Sequence, residues 1–338
     1  MIRLSHVAKT ANVSVSTASR ALAGREHVSE ETRQRVLRAA NELGYEPNTL
    51  ARGLRRNQTR MVGMLLPDTR GSSFSSEASQ LLHRQLQDFG YGLLLCANHH
   101  DREVEKRYLQ TLPSLGIAGL FHLPLASVNA EPLLSGGSPV WVIEFLRGSG
   151  STKLDGVVHD EATGSVHVVE HLVGLGHRRL GLIVGPTRLG STSQRLAGVM
   201  RALDFAGIDR DSVPVINAEH SWDGGGRAFA ELMQRRPRPT AIYAAGAQLA
   251  LGAAIAAQDA GILIPGQVSL VGLGNPSWGS LMQAKLTTYT LPIQEIAMTA
   301  ALLMMSRLEN HATTTPAPVQ ITISGRVNVR ESTAPPGS

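Results

Sequence analysis

From residue 61 onward, short apolar runs alternate with stretches of helical periodicity, and this rhythm narrows the fold more than any other feature. The runs 61–67, 92–96, 119–123, 140–145, 180–184, 241–245 and 269–273 read as buried strands. Segments 75–89, 103–115, 164–175, 193–206, 225–234 and 249–260 read as helices between them. Strands that alternate with helices pair in parallel, because each helix carries the chain back over the sheet, so both sheet faces become covered. The expected fold is therefore α/β with parallel sheets, and the length suits two sheets of similar size. Ligands of such folds sit beyond the carboxyl ends of the strands, here in a crevice between two lobes.

The charge is concentrated at one end. Residues 1–60 hold 11 of the 32 Lys and Arg but only 5 of the 27 Asp and Glu, so the excess positive charge lies there. A small basic module on a near-neutral body suggests a polyanion-binding head. A solvated basic tail would be low in complexity, whereas this segment has helical patterning. Leu4, Val7, Ala8 and Ala11 recur at helical spacing until Asn12 breaks the pattern. Ser14 is an N-cap for a second helix that buries Ala18, Ala21 and Leu22. Its outward face is Val15, Ser16, Thr17, Ser19 and Arg20. Ser29 starts a third helix that buries Val36, Ala39, Ala40 and Leu43 and stops at Gly44. This is an all-α helix-turn-helix pattern. Small outward side chains let the second helix enter a major groove, where Arg20 can fork onto guanine. Thr17 and Ser19 can donate to phosphates.

The run Val7-Ala8-Lys9, then Val13-Ser14-Val15-Ser16-Thr17-Ala18-Ser19-Arg20-Ala21-Leu22, resembles the DNA-reading head of LacI/GalR-type transcriptional regulators. So do Val28-Ser29-Glu30-Glu31-Thr32-Arg33 and Leu43-Gly44-Tyr45-Glu46-Pro47-Asn48. In the body, Glu170-His171-Leu172, Leu175-Gly176-His177-Arg178-Arg179-Leu180 and Gln194-Arg195-Leu196-Ala197-Gly198 are similar to the same family. The resemblance implies a periplasmic-binding-protein-like two-lobed sensor behind the head, three chain crossings between its lobes, and base contacts from Val15, Ser16 and Arg20. The expected division is a head at 1–46, a hinge at 47–60 and an effector-binding, dimerising body at 61–330. The lobes are expected at 61–158 plus 289–320 and at 159–288 plus 321–330. Residues 331–338, with Pro335-Pro336-Gly337, read as a disordered tail.

The linker has its own chemistry. Pro47 cannot continue the third helix, and Asn48 can cap a short new one. Leu54 stands among Arg52, Arg55, Arg56 and Arg60. From pattern alone it reads as a core leucine of the next domain. The resemblance of Asn48-x-x-Ala51-x-x-Leu54 to the family hinge favours an apolar wedge in a minor-groove step.

The effector candidates follow from the resemblance and the residue types. Arg195 matches the family's ligand-clamping arginine, and its fork suits paired hydroxyls or a carboxylate. Trp222 reads either as a stacking face for a ligand or as a core residue. His159 at the lobe crossover reads as a ligand contact or a structural histidine. Asp68 and Phe74 bracket the first strand-to-helix loop, and Glu144 near another strand end can accept from hydroxyls. Gly246-Ala247 and Gly274-Asn275 stand where relatives carry acids or amides, so Gly246 and Asn275 mark a crevice stripped of carboxylates. That change favours a sugar acid, an organic acid or another anionic metabolite over a neutral sugar.

Other readings are weaker. His167-x-x-x-His171 has zinc-pair spacing without an evident third ligand. The single Cys96 excludes an internal disulfide and a multi-thiolate metal site. No apolar run reaches the ~18 residues of a membrane span. The start Met1-Ile2-Arg3-Leu4-Ser5-His6 lacks an apolar signal core, so a cytoplasmic, nucleoid-associated protein is expected. No Walker loop or G-x-S-x-G occurs, and no catalytic cofactor is expected. The expected function is an effector-responsive repressor that binds a palindromic operator on double-stranded DNA as a homodimer, with no enzymatic activity and no membrane partner. The alternatives are a two-lobed small-molecule binding protein without a regulatory role and a sugar-modifying enzyme. The basic head opposes the first, and the lack of identifiable paired catalytic carboxylates opposes the second.

Overall fold

The computed structural model describes residues 2, 4–22, 28–45, 59–67, 73–125, 133, 140–187, 190–309 and 316–337. Asn48, Ala51, Leu54 and Asp68 lie outside these residues, and Phe74 is described by its backbone alone. The chain divides into two compact units, Met1–Thr59 and Arg60–Ser338.

The first unit has three helices, α1 (Leu4–Thr10), α2 (Val15–Leu22) and α3 (Glu30–Glu42). Their shared core is built mainly from alanine and valine: Val7, Ala8, Ala11, Ala18, Ala21, Val36, Ala39 and Ala40. Such small side chains let three short helices approach closely, and few of these helices would persist alone. Asn12 adopts φ 48°, a left-handed conformation that asparagine tolerates, and this turns the chain between α1 and α2. Ser14 Oγ accepts from Thr17 N–H at 3.1 Å, and Ser29 Oγ accepts from Thr32 N–H at 3.3 Å, which caps α2 and α3. Leu22 and Leu43 are half-buried at the rim of this core.

The second unit carries two six-stranded sheets. The first contains β1 (Met61–Leu66), β2 (Gly92–Ala97), β3 (Gly119–His122), β4 (Trp141–Leu146), β5 (Asp155–His159) and β11 (Gln320–Ile323), in the order β11-β5-β4-β3-β1-β2. All its pairings are parallel. The second contains β6 (Leu180–Val184), β7 (Val215–Asn217), β8 (Ala241–Ala244), β9 (Ser269–Leu273), β10 (Thr287–Thr290) and β12 (Arg326–Asn328), in the order β12-β10-β9-β8-β6-β7. Here β12 runs antiparallel to β10, the one departure from the expected parallel pattern among these pairings. Helices α4 (Ser73–Asp88) and α5 (Arg102–Thr111) serve the first sheet, and α6 (Glu161–Gly174), α7 (Gly190–Phe205), α8 (Trp222–Gln234) and α9 (Ala247–Asp259) the second. Helix α10 (Ile293–Glu309) returns to the first sheet, where Ile296, Ala297, Ala300, Ala301 and Met304 join its core.

The crossings between sheets come after β5, between β10 and α10, and between β11 and β12. Three expected boundaries move. His159 ends β5 in the first sheet rather than opening the second lobe, Thr287–Thr290 is a strand of the second sheet rather than splitting at 288, and Gln320–Ile323 belongs wholly to the first rather than splitting at 320. In each case the strand stays paired past the expected crossing point.

The expected disordered tail is also corrected. Ser332 is fully buried. Its N–H donates to Lys285 O at 3.0 Å, and its Oγ accepts from Thr287 N–H at 2.7 Å and donates to Leu270 O at 2.6 Å. Ala334 O accepts from His177 Nε2 at 2.9 Å. A proline-rich composition lowers the entropy lost on ordering, and this segment supplies hydrogen bonds that buried strand atoms need.

Helices α8 and α9 cross with backbones almost in contact. A Cβ on Gly252 would collide with the Trp222 carbonyl oxygen, and one on Gly225 with the Leu249 carbonyl. Only glycine permits that approach.

Candidate functional site

The exposed face of α2 follows from its capping. Ser14 Oγ also bonds Ser16 Oγ and Thr17 Oγ1, both at 2.8 Å, so the hydroxyls gather at the helix start. Val15, Ser16 and Arg20 are exposed, and Thr17 and Ser19 are half-buried beside them. The face therefore offers one apolar contact, several hydroxyls and one guanidinium to a groove. Arg35 Nε donates to Ala11 O at 3.0 Å, which closes the end of α1 and steadies the turn before α2.

The carboxyl ends of the two sheets supply a second cluster. Arg195 on α7 holds Glu161 at the start of α6 through two bonds, Nε to Oε2 at 2.7 Å and Nη2 to Oε1 at 3.0 Å. Its Nη1 donates to Ala245 O at 2.9 Å. Burial raises the Glu161 carboxyl, but Arg195's charge and hydrogen bonds, helped by His159 and Arg147, leave it below the usual carboxylate range. Arg195 is correspondingly held above the usual arginine value once Glu161 has overcome its burial. The residue expected to clamp a ligand is thus already clamped within its own lobe.

Arg147, just beyond β4, is less firmly held. Its Nε is buried without a hydrogen-bond partner among the described residues. Burial disfavours its charge, Glu161 partly offsets this, and Arg195 adds to it. The backbone here is unusual: Leu146 takes φ 64° while fully buried, and Arg147 N–H donates to Phe145 O at 2.7 Å. A non-glycine residue in this tight three-residue turn costs on the order of 1–3 kcal/mol and persists only where its surroundings enforce it. Glu144 supplies part of that enforcement. Its carboxylate accepts from Ser149 N–H at 3.1 Å and from the Ser149 hydroxyl, closing the turn that presents Arg147. Burial, only partly countered by Ser149 and His122, raises the Glu144 carboxyl.

His220 faces the same region from the second lobe. A Cβ on Gly246 would lie 2.7 Å from its Cε1 and one on Gly185 3.2 Å from its Nδ1. The imidazole therefore occupies the space that side chains at those two strand ends would fill. Desolvation, then the charges of Arg195, His100 and Arg147, push its pKa down to about 4.

Of the other expected effector residues, His159 is buried between the first and third crossings. Its Nδ1–H donates to Ile323 O at 3.2 Å, and its ring lies 5.4 Å from that of Tyr289. Trp222, at 51% exposure, is not a core residue. Asn275, just beyond the carboxyl end of β9, accepts at Oδ1 from Arg330 Nη2 at 2.8 Å. With Pro276, Ser277, Gly279, Ser280, Thr288 and Arg330 it lines a pocket of about 180 Å³. The structure brings Glu144, His159, Arg195 and Gly246 to strand ends of the two lobes. His167 and His171 diverge, the first toward Tyr289 and the second bonding Thr333 Oγ1 at 3.1 Å.

Sequence reasoning missed Arg147, Glu161 and His220. Arg147 and Glu161 directly or nearly follow a strand or a crossing residue already identified, so position at a strand's carboxyl end was the available signal, whereas His220 follows β7, a three-residue strand too short to show as an apolar run.

Comparison with known proteins agrees with both halves. Residues 3–48 match the model of bacterial regulatory proteins of the lacI family, and residues 169–333 match a periplasmic binding protein-like domain. The HTH-type transcriptional repressor PurR of Escherichia coli is 30% identical over 318 residues, covering 92% of this chain and 91% of that protein. A LacI-family regulator from Silicibacter pomeroyi superposes with TM-score 0.84 at 24% identity, over 98% of this chain and 99% of that one. A LacI-family regulator from Enterococcus faecium, solved with bound ribose, gives 0.72 at 27% identity, over 82% of this chain and 100% of that one.

Proposed function

The chain belongs to the lacI family of DNA-binding bacterial transcriptional regulators, and from this premise we propose that it is a cytoplasmic homodimeric repressor whose operator affinity is set by a small anionic metabolite. The observation that carries the anionic reading is Arg147, half-buried, whose Nε is shielded from solvent without a hydrogen-bond partner among the described residues, while Arg195 is neutralised by Glu161. Burial disfavours the Arg147 charge and the nearby carboxylates offset this only in part, so an anion between the lobes lowers the remaining cost. Gly246 supports it further, since a carboxylate there would repel such a ligand and His220 takes the space instead.

In this reading Val15, Ser16 and Arg20 read bases, and Thr17 and Ser19 meet phosphates. Two heads then meet a near-palindromic operator, because two-fold protein symmetry maps onto DNA symmetry. Asn48, Ala51 and Leu54 form the hinge, with Leu54 as the wedge. Binding between the lobes biases their angle and so the hinge. The coupling is reciprocal, so a metabolite that weakens DNA binding is itself bound more weakly by the DNA complex.

The test is selection of operators from random duplex DNA, followed by fluorescence anisotropy on the selected site. The expected site is palindromic, and organic acids, sugar acids or sugar phosphates shift its affinity while neutral sugars do not. A shift produced by neutral sugars alone defeats the anionic reading. No selection of duplex DNA at low salt defeats the regulator reading.

A further inference from the structure

The pocket beside Asn275 has a chemistry of its own. Its volume of about 180 Å³ lies below the ~300–1,000 Å³ of pockets that enclose drug-sized ligands, so it suits a small ion or one end of a larger molecule. Its polar lining is Asn275, Ser277, Ser280, Thr288 and Arg330.

Hydrogen bonds place it on the flank of the second lobe. Beyond β9 the chain turns at Gly274, which takes φ 90° and donates its N–H to Tyr289 O at 2.8 Å. The chain then runs back along β10, because Leu286 N–H, at the amino end of that strand, donates to Gly279 O at 3.0 Å. Strand β12 is antiparallel to β10 and pairs Asn328 with Thr288, so Arg330 comes to the same amino end. There its N–H donates to Thr287 Oγ1 at 2.9 Å. The pocket therefore lies beside β10, between the returning loop and the segment that follows β12, and not over the strand carboxyl ends.

Arg330 is the charged member of the lining. Its Nη1 donates to Leu286 O at 2.6 Å and to Thr288 Oγ1 at 3.1 Å, and its Nη2 donates to Asn275 Oδ1 at 2.8 Å. All these acceptors are neutral. They fix the guanidinium, yet some of its five N–H groups stay without a described bond, and no carboxylate pairs with it among the described residues. The adjoining Glu331 faces Lys285 instead, 3.4 Å from its Nζ.

The neighbouring groups are donors. With Oδ1 turned to Arg330, the Asn275 amide keeps its Nδ2 hydrogens for the pocket. Ser277 Oγ makes no described hydrogen bond, and Ser280 Oγ donates to Ser277 O at 2.7 Å, which holds the turn that carries Ser277. A fixed guanidinium, an amide and a free hydroxyl without a carboxylate beside them match an oxyanion. A phosphoryl group has an acceptor oxygen for each of these donors, whereas a carboxylate leaves one unmet.

We propose that this pocket is a phosphate site on the flank of the second lobe, with Arg330 as its cation and Asn275 and Ser277 as flanking donors. Its occupant ties the loop after β9 to the segment that follows β12, and so stabilises that lobe. The assignment is independent of the reading given to Arg147.

Isothermal calorimetry and thermal unfolding of the full-length protein in phosphate-free buffer test it, with inorganic phosphate, methyl phosphate, acetate and chloride as probes at matched ionic strength. The expected result is that inorganic or methyl phosphate binds about tenfold or more tightly than acetate or chloride, and raises the melting temperature. Tighter binding of inorganic phosphate marks the free ion as the occupant. Tighter binding of methyl phosphate marks the phosphoryl end of a metabolite, and either result supports the site. Asn275→Asp keeps the oxygen to which Arg330 donates and gives the guanidinium an internal counter-charge, so the variant folds. Ser277→Asp sets a carboxylate at the exposed rim. Each variant weakens phosphate binding about tenfold or more, while Arg147→Met leaves it unchanged. Phosphate binding that survives either Asp variant overturns the proposal, and binding that vanishes in Arg147→Met moves the anion to the crevice and overturns it too. So do acetate or chloride binding as tightly as phosphate, and the absence of binding by both phosphates.

Discussion

Glu161 and Arg195 form a two-point ion pair that joins the start of α6, just after the first lobe crossing, to α7. Glu161 is 5% exposed, so the pair is shielded from water and salt. It neutralises Arg195, while Glu161 only partly offsets the burial of Arg147.

Glu161→Ala leaves Arg195 buried without its counter-charge, and the expected cost is about 3–5 kcal/mol. Urea denaturation measures it, and an unchanged midpoint would refute the shielded-pair account. The pH dependence has a definite sign. The folded carboxyl lies below its ordinary value of 4.5, so the pair's contribution is full above that value and lost as pH falls through the lower folded one. Glu161→Gln removes this part of the acid loss.

Arg147→Met behaves oppositely. The guanidinium makes no described hydrogen bond through Nε and carries a disfavoured charge, so its removal leaves thermal stability equal or raised. The same variant loses response to anionic metabolites in operator anisotropy. A drop in melting temperature together with retained response would show that Arg147 is structural.

Ser332→Ala removes the hydroxyl that bonds both Leu270 O and Thr287 N–H inside the second lobe. Two buried backbone groups lose a partner, and the expected cost is about 1–3 kcal/mol. Calorimetric unfolding checks it. No loss, either here or on truncation after Arg330, would mean the C-terminal segment adds nothing to the sheet.

Arg20→Ala is expected to cost about 1–3 kcal/mol in operator binding and to relax preference at one base position. Competition among operator variants separates this from a phosphate contact, which would weaken all variants equally.

Much of this protein can be read along the chain. The head's core positions Val7, Ala8, Ala18, Ala21, Val36, Ala39 and Ala40 follow from helical spacing, and Ser14 and Ser29 follow from capping chemistry. The sensor's sheets follow from apolar runs that must be covered on both faces. These are local facts, set by periods of two and 3.6 residues. Which lobe receives β11 or β12, and that Ser332 inserts among Lys285, Leu270 and Thr287, depend on partners far away in sequence. The crevice is of the same kind. A lone arginine looks alike at 147 and 195; only the folded chain bonds Glu161 to one and leaves Nε of the other without a described hydrogen bond, because burial and pairing are properties of neighbours in space and not of neighbours in sequence.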